Sequence, residues 1–121
     1  MRAFYGCSSL QSVTIPDSVK KIGYSTFSDC TSLSSVYISN SIKKIPVLCF
    51  SGCKLASIIP KNVRKICKYA FEKCSLLTSV IIQDGVRKIG NCAFSNCSSL
   101  ANITIPNSVT KIGNTTFCGC T

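Results

Sequence analysis

The chain predicts a repeat solenoid, built by stacking one supersecondary unit on copies of itself. Every phenylalanine stands three residues before a cysteine: Phe4/Cys7, Phe27/Cys30, Phe50/Cys53, Phe71/Cys74, Phe94/Cys97 and Phe117/Cys120. Successive cysteines of these pairs are 23, 23, 21, 23 and 23 residues apart. Apolar residues recur in fixed columns between them, a register that an ordinary globular domain has no reason to keep.

The repeats run 7–29, 30–52, 53–73, 74–96 and 97–119, and together they make one domain over residues 1–121. Each opens with a strand whose inward residues are Leu10, Val13, Ile15; Leu33, Val36, Ile38; Leu55, Ile58, Ile59; Leu77, Val80, Ile82; and Leu100, Ile103, Ile105. Alternation of this kind buries one face and leaves the other to solvent. Pro16, Pro60 and Pro106 end that strand, because proline has no N–H to give a ladder.

A second apolar pair follows: Val19/Ile22, Ile42/Ile45, Val63/Ile66, Val86/Ile89 and Val109/Ile112. Gly23, Gly90 and Gly113 stand where the chain must turn before the phenylalanine segment. A small residue then precedes the ring in most copies (Thr26, Ala70, Ala93, Thr116). One unit cannot bury these side chains alone; stacked units cover one another and make a continuous core. Parallel strands about 4.8 Å apart would give a slab roughly 20–25 Å long. The third repeat lacks one residue near Lys54 and one between Ile58 and Ile59, which predicts a bulge or a shortened strand there.

The pattern C-x-S-L-x-S-V-x-I-P-x-S-V-x-K-I-G-x-x-A-F, plain in residues 7–29 and 97–119, resembles the leucine-rich repeats of the BspA-like family. The resemblance covers essentially the whole chain. Pro46 and Cys67 depart from it at the turn glycine, and Ser39 and Gln83 at the proline, which bears on local turns and not on the architecture. It implies a leucine-rich-repeat horseshoe with a parallel sheet on the concave side. It also implies a cell-surface or secreted adhesion module whose partner is a host matrix protein such as fibronectin or fibrinogen.

Residues 3–7 match the last turn of a repeat, and Cys120-Thr121 begins another, so neither end carries a polar cap. Solenoids need caps. The chain is therefore read as a piece of a longer array, or as one whose ends pack end-to-end on another copy. No signal peptide is visible, and no apolar run approaches the length of a membrane span.

Ten cysteines invite a disulfide framework, but six of them form a column, with equivalent side chains pointing the same way. Cys7, Cys30, Cys53, Cys74, Cys97 and Cys120 are read as free buried thiols. Cys49, Cys67, Cys92 and Cys118 fall in four other columns. With no histidine, zinc would need four converging thiolates, so no metal or cofactor is expected. Nor is catalysis. The acids Asp17, Asp29, Glu72 and Asp84 lie in separate loops, and a nucleophilic cysteine would lack an imidazole partner.

Two surfaces remain. Formal net charge is +10, and nine of the fourteen basic residues fall in two adjacent columns: Lys20/Lys21, Lys43/Lys44, Arg64/Lys65, Arg87/Lys88 and Lys111. Stacking would line them up as a stripe fit for a polyanion such as a glycosaminoglycan or anionic lipid, or simply as a solubility face. Nucleic acid fits least, since no aromatic residues interleave the stripe. The other surface is the outward face of the strand, with Thr14, Tyr37, Ile81, Asn102 and Thr104 among short polar neighbours. Tyr37 is either an anchor for a protein partner or packs across the third repeat's missing residue. Asn96, Asn102 and Asn114 head glycosylation sequons, meaningful only on secretion from a eukaryotic cell. The function expected is a non-enzymatic binding or adhesion module presenting its concave sheet. Polyanion binding through the stripe is the alternative, and an intracellular scaffold with reduced thiols is a third.

Overall fold

The computed structural model describes residues 5–55 and 62–120 and the backbone of 57–58. The repeats contribute three kinds of run, and runs of one kind stack across successive repeats. The first run forms β1 (Ser12–Ile15), β2 (Ser35–Ile38), β4 (Ser57–Ile58), β6 (Ser79–Ile81) and β8 (Asn102–Thr104). The second forms β3 (Lys44–Ile45), β5 (Lys65–Ile66), β7 (Lys88–Ile89) and β9 (Lys111–Ile112). All pairings are parallel and join equal columns: Val13 with Val36, Val80 with Ile103, Ile45 with Ile66 and Ile66 with Ile89.

The first sheet comes in two parts, β1-β2 and β4-β6-β8. Among the described residues the division falls between β2 and β4. Residues 56 and 59–61 on either side of β4 lie outside the described residues, and the expected shortened strand or bulge falls on them. The second ladder crosses the same interface unbroken, through Lys44 and Lys65. It does not reach the first repeat: among the described residues Lys21 and Ile22 pair with no strand.

The third run carries the phenylalanines. Rings of Phe27, Phe50, Phe71, Phe94 and Phe117 stack with centroids 5.3–5.8 Å apart and planes within 4–11° of parallel. That separation exceeds the strand spacing of about 4.8 Å, so the rings are offset, the arrangement their quadrupoles favour. Backbone N–H groups here alternate in direction. Phe71 donates to Ala93 one rung ahead at 2.8 Å, while Cys74 turns back to Phe71 at 3.3 Å. Meeting both demands requires left-handed residues twice per repeat: Ser25, Leu48, Tyr69, Cys92 and Thr115 at one column, and Asp29, Gly52, Lys73, Asn96 and Gly119 at the other.

The turn glycines need correction. Gly90 and Gly113 do not have positive φ; the left-handed residue comes two positions later, at Cys92 and Thr115. Their role is close approach, since a Cβ on Gly90 would lie 2.5 Å from the Lys68 nitrogen and one on Gly113 2.4 Å from that of Asn91. The departures at the proline column leave their turn intact. Ile42 donates to Ser39 at 3.3 Å and Val86 to Gln83 at 3.4 Å, as Val19 does to Pro16 at 3.0 Å.

Leucine, isoleucine, valine and phenylalanine columns fill one core running through the stack, each fully buried large side chain contributing about 1.5–3 kcal/mol. Thr26 and Thr116 occupy the alanine column and return their hydroxyls to the carbonyls of Gly23 at 2.6 Å and Gly113 at 2.7 Å. The last repeat differs. Ile105 is 37% exposed whereas its column mates Ile15, Ile38 and Ile82 are buried, and Ile112 is 47% exposed whereas Ile45, Ile66 and Ile89 are buried.

Candidate binding surfaces

The cysteine column is structural. The thiols of Cys53, Cys74, Cys97 and Cys120 donate to the carbonyls of Phe27, Phe50, Phe71 and Phe94, one rung back, at 3.1–3.2 Å. All ten cysteines are free. Burial pushes the Cys53 thiol up to about 12, and it raises Cys49 further still. A neighbouring thiol, that of Cys97, and burial together hold Cys74 well above the usual thiol range. Protonated thiols of this kind are poor nucleophiles and poor metal ligands. Among the described residues no three histidine, cysteine or acidic side chains converge as a metal site.

The outward face of the first sheet is open. Thr14, Asn102 and Thr104 are exposed, Tyr37 is 54% exposed and Ile81 50%. Tyr37 therefore does not pack away over the missing residue. Its strand partner is Thr14, and that of Ile81 is Thr104. By position in the repeat, seven residues after Cys30 and Cys74, Tyr37 and Ile81 belong to one sequence column, and they stand in the two separate parts of the first sheet. The result is a flat polar face bearing two apolar side chains.

The basic columns lie on the second ladder. Lys44, Lys65, Lys88 and Lys111 are consecutive partners, each followed by an isoleucine that is buried at Ile45, Ile66 and Ile89 and exposed at Ile112. Lys20, Lys21, Lys43, Arg64 and Arg87 are also exposed. Two depressions of about 500 Å³ each sit along this row. One is lined by Lys65, Lys88 and Lys111 with Gly90 and Gly113. The other is lined by Lys20, Lys21, Lys43 and Lys44 with Tyr24 and Pro46. Sequence reasoning missed Tyr24, 57% exposed at the edge of the stripe. Its signal is its column, which holds Val47, Lys68, Asn91 and Asn114 in the other repeats.

A profile of the BspA type leucine rich repeat region matches residues 1–121 in six copies. The chain belongs to the BspA-type leucine-rich-repeat family. The sequence itself carries six Phe-x-x-Cys units.

Among solved structures, the chain is similar to a leucine-rich-repeat protein of T. pallidum, with 33% identity and a TM-score of 0.63 over 98% of this chain and 46% of that one. It is similar in fold to a leucine rich cell surface protein from Faecalibacterium prausnitzii, at 24% identity and a TM-score of 0.52 over 98% and 48%. A leucine-rich-repeat protein from Bacteroides ovatus gives 23%, 0.53, 92% and 41%. The chain thus spans about half the length of each. No curated protein matches it. No described helix is long and apolar enough to cross a membrane.

Proposed function

We propose that this BspA-type array is a non-enzymatic adhesion module that offers the outward face of its first sheet to a protein partner, a host matrix protein such as fibronectin. One observation carries the reading: Tyr37 and Ile81, among the most exposed large apolar side chains, stand at the same repeat position beside the exposed Thr14 and Thr104 on the outward face of the first run. A tyrosine held by a rigid strand loses little entropy on docking and buries a large area, the profile of an interface anchor. Repeat proteins present such surfaces without rearrangement. Surface display belongs to the same reading, supported by the F. prausnitzii structure, whose name places it at the cell surface. The test is Tyr37→Ala and Ile81→Ser in a fibronectin-binding assay. Each should weaken binding about tenfold or more if the side chain is an anchor, and unchanged affinity in both variants removes the proposal.

A second reading has its own observation, the register that stacks Lys44, Lys65, Lys88 and Lys111. Like charges about 5 Å apart in water repel by about 0.8 kcal/mol before screening, a standing cost that a polyanion would relieve. Binding to heparin that fades as salt shortens the screening length would support it.

A further inference from the structure

The second ladder is not formed at one interface among the described residues, and a proline there removes one of its bonds. At the other interfaces the residue after the ladder isoleucine donates its N–H to the isoleucine carbonyl one repeat earlier. Cys67 donates to Ile45 at 2.9 Å, Gly90 to Ile66 at 2.7 Å and Gly113 to Ile89 at 2.8 Å. The equivalent residue of the second repeat is Pro46, which has no N–H to give. Among the described residues the Ile22 carbonyl receives no such bond, and Lys21–Ile22 stays out of the ladder. The bonds from Arg64 to Lys43 at 2.7 Å and from Arg87 to Arg64 at 2.8 Å likewise have no counterpart at Lys20.

The cleft of about 500 Å³ lined by Lys20, Lys21, Lys43, Lys44 and Tyr24 lies at this opening, and Ile22 and Pro46 help to line it. We propose that it binds a saccharide bearing sulfate or phosphate esters. This deepens the polyanion reading by assigning it one place and one ligand class. Three features share the recognition. Four lysines within one recess supply cations for ester groups, and the reduced solvent inside a recess strengthens each attraction. The exposed Tyr24 ring gives a sugar face a flat apolar surface of the sort that lines saccharide-sized sites. The Ile22 carbonyl, left without its ladder donor, accepts from a sugar hydroxyl. A bare inorganic anion would use only the first of these. A nucleic acid strand would need a row of aromatic platforms, and the cleft has one.

The molecule carries its own control. The depression around Lys65, Lys88 and Lys111 has the same volume of about 500 Å³, lies over a closed ladder and lacks an aromatic residue. Titration calorimetry with a heparin-derived tetrasaccharide and with a bisphosphorylated glucosamine disaccharide tells the sulfated source from the phosphorylated one. Binding of either probe is expected. Lys43→Gln/Lys44→Gln should weaken it about tenfold or more, and Lys88→Gln/Lys111→Gln, which removes the same charge, by about threefold or less. Pro46→Gly, which changes no charge and restores an N–H to close the ladder, should also weaken it, with a thermal melt confirming that the array stays folded. Equal losses from the two lysine pairs would overturn the cleft while leaving the stripe as a diffuse polyanion surface. Full affinity in Tyr24→Ala or in folded Pro46→Gly would overturn the saccharide assignment. Absence of binding by both probes to the unaltered chain would remove the cleft and the stripe reading together.

Discussion

The Cys97 thiol donates to the Phe71 carbonyl at 3.1 Å, tying one rung of the solenoid to the rung before it. The same carbonyl accepts the Cys74 N–H at 3.3 Å, so Phe71 closes its own turn and holds the next repeat with a single oxygen. This is why cysteine recurs with the period of the fold. It is small enough for the column, apolar enough for the core, and carries one donor. Cys97→Ala should lower stability by about 1–3 kcal/mol, from the lost bond and the void it leaves. Cys97→Ser keeps a donor and should lose less. Urea unfolding of both variants decides it, and an alanine variant as stable as the native chain would show the bond to be incidental.

The ring column predicts a larger effect. Phe71 is fully buried and stacks on Phe50 at 5.5 Å and on Phe94 at 5.3 Å. Phe71→Ala should cost about 3–5 kcal/mol. Because each repeat touches only its neighbours, the loss should also split one unfolding transition into two. Calorimetry reads both quantities.

Gly90→Ala separates close approach from turn conformation. Its backbone φ suits any residue, so a turn role predicts little change, whereas the new Cβ would meet the Lys68 nitrogen at 2.5 Å. The clash should cost about 1–3 kcal/mol in a thermal or urea melt.

Alkaline pH should unfold the array through its thiols. The Cys53 thiol rises from 9.0 to about 12 on folding because burial disfavours the thiolate. Below pH 9 it is neutral in both states and its contribution is fully present. Between 9 and about 12 the unfolded chain loses the proton and the folded one keeps it, so stability falls as pH rises. Cys49 shifts in the same direction and adds to the trend, while Cys74 and Cys97, hydrogen-bonded to each other, shift in opposite directions and offset. Denaturation midpoints from pH 8 to 11 should fall steadily. Thiol-reactive dyes at pH 8 should label the exposed Cys118 before any of the buried column.

The period, the columns, the first ladder and the basic row were legible in the sequence because each depends only on which residues recur, whereas the second ladder was read only as an apolar pair. The exposure of Tyr37 was not legible, since it depends on whether neighbouring side chains close over a deletion. The glycine role was misread for a related reason. Gly90 and Gly113 are spaced as turn residues are, and only the stacked backbone shows that the space they vacate belongs to the next rung. Pro46 marked its own importance in the sequence by replacing a column glycine. Its consequence required knowing that this column donates an N–H across repeats.

The central claim is that the first sheet's outward face binds protein, and paired binding to immobilised fibronectin and heparin at low and high salt tests it most directly. Fibronectin binding should persist at high salt and drop in Tyr37→Ala. Fibronectin binding that is absent, or that vanishes with salt and ignores Tyr37, would contradict it.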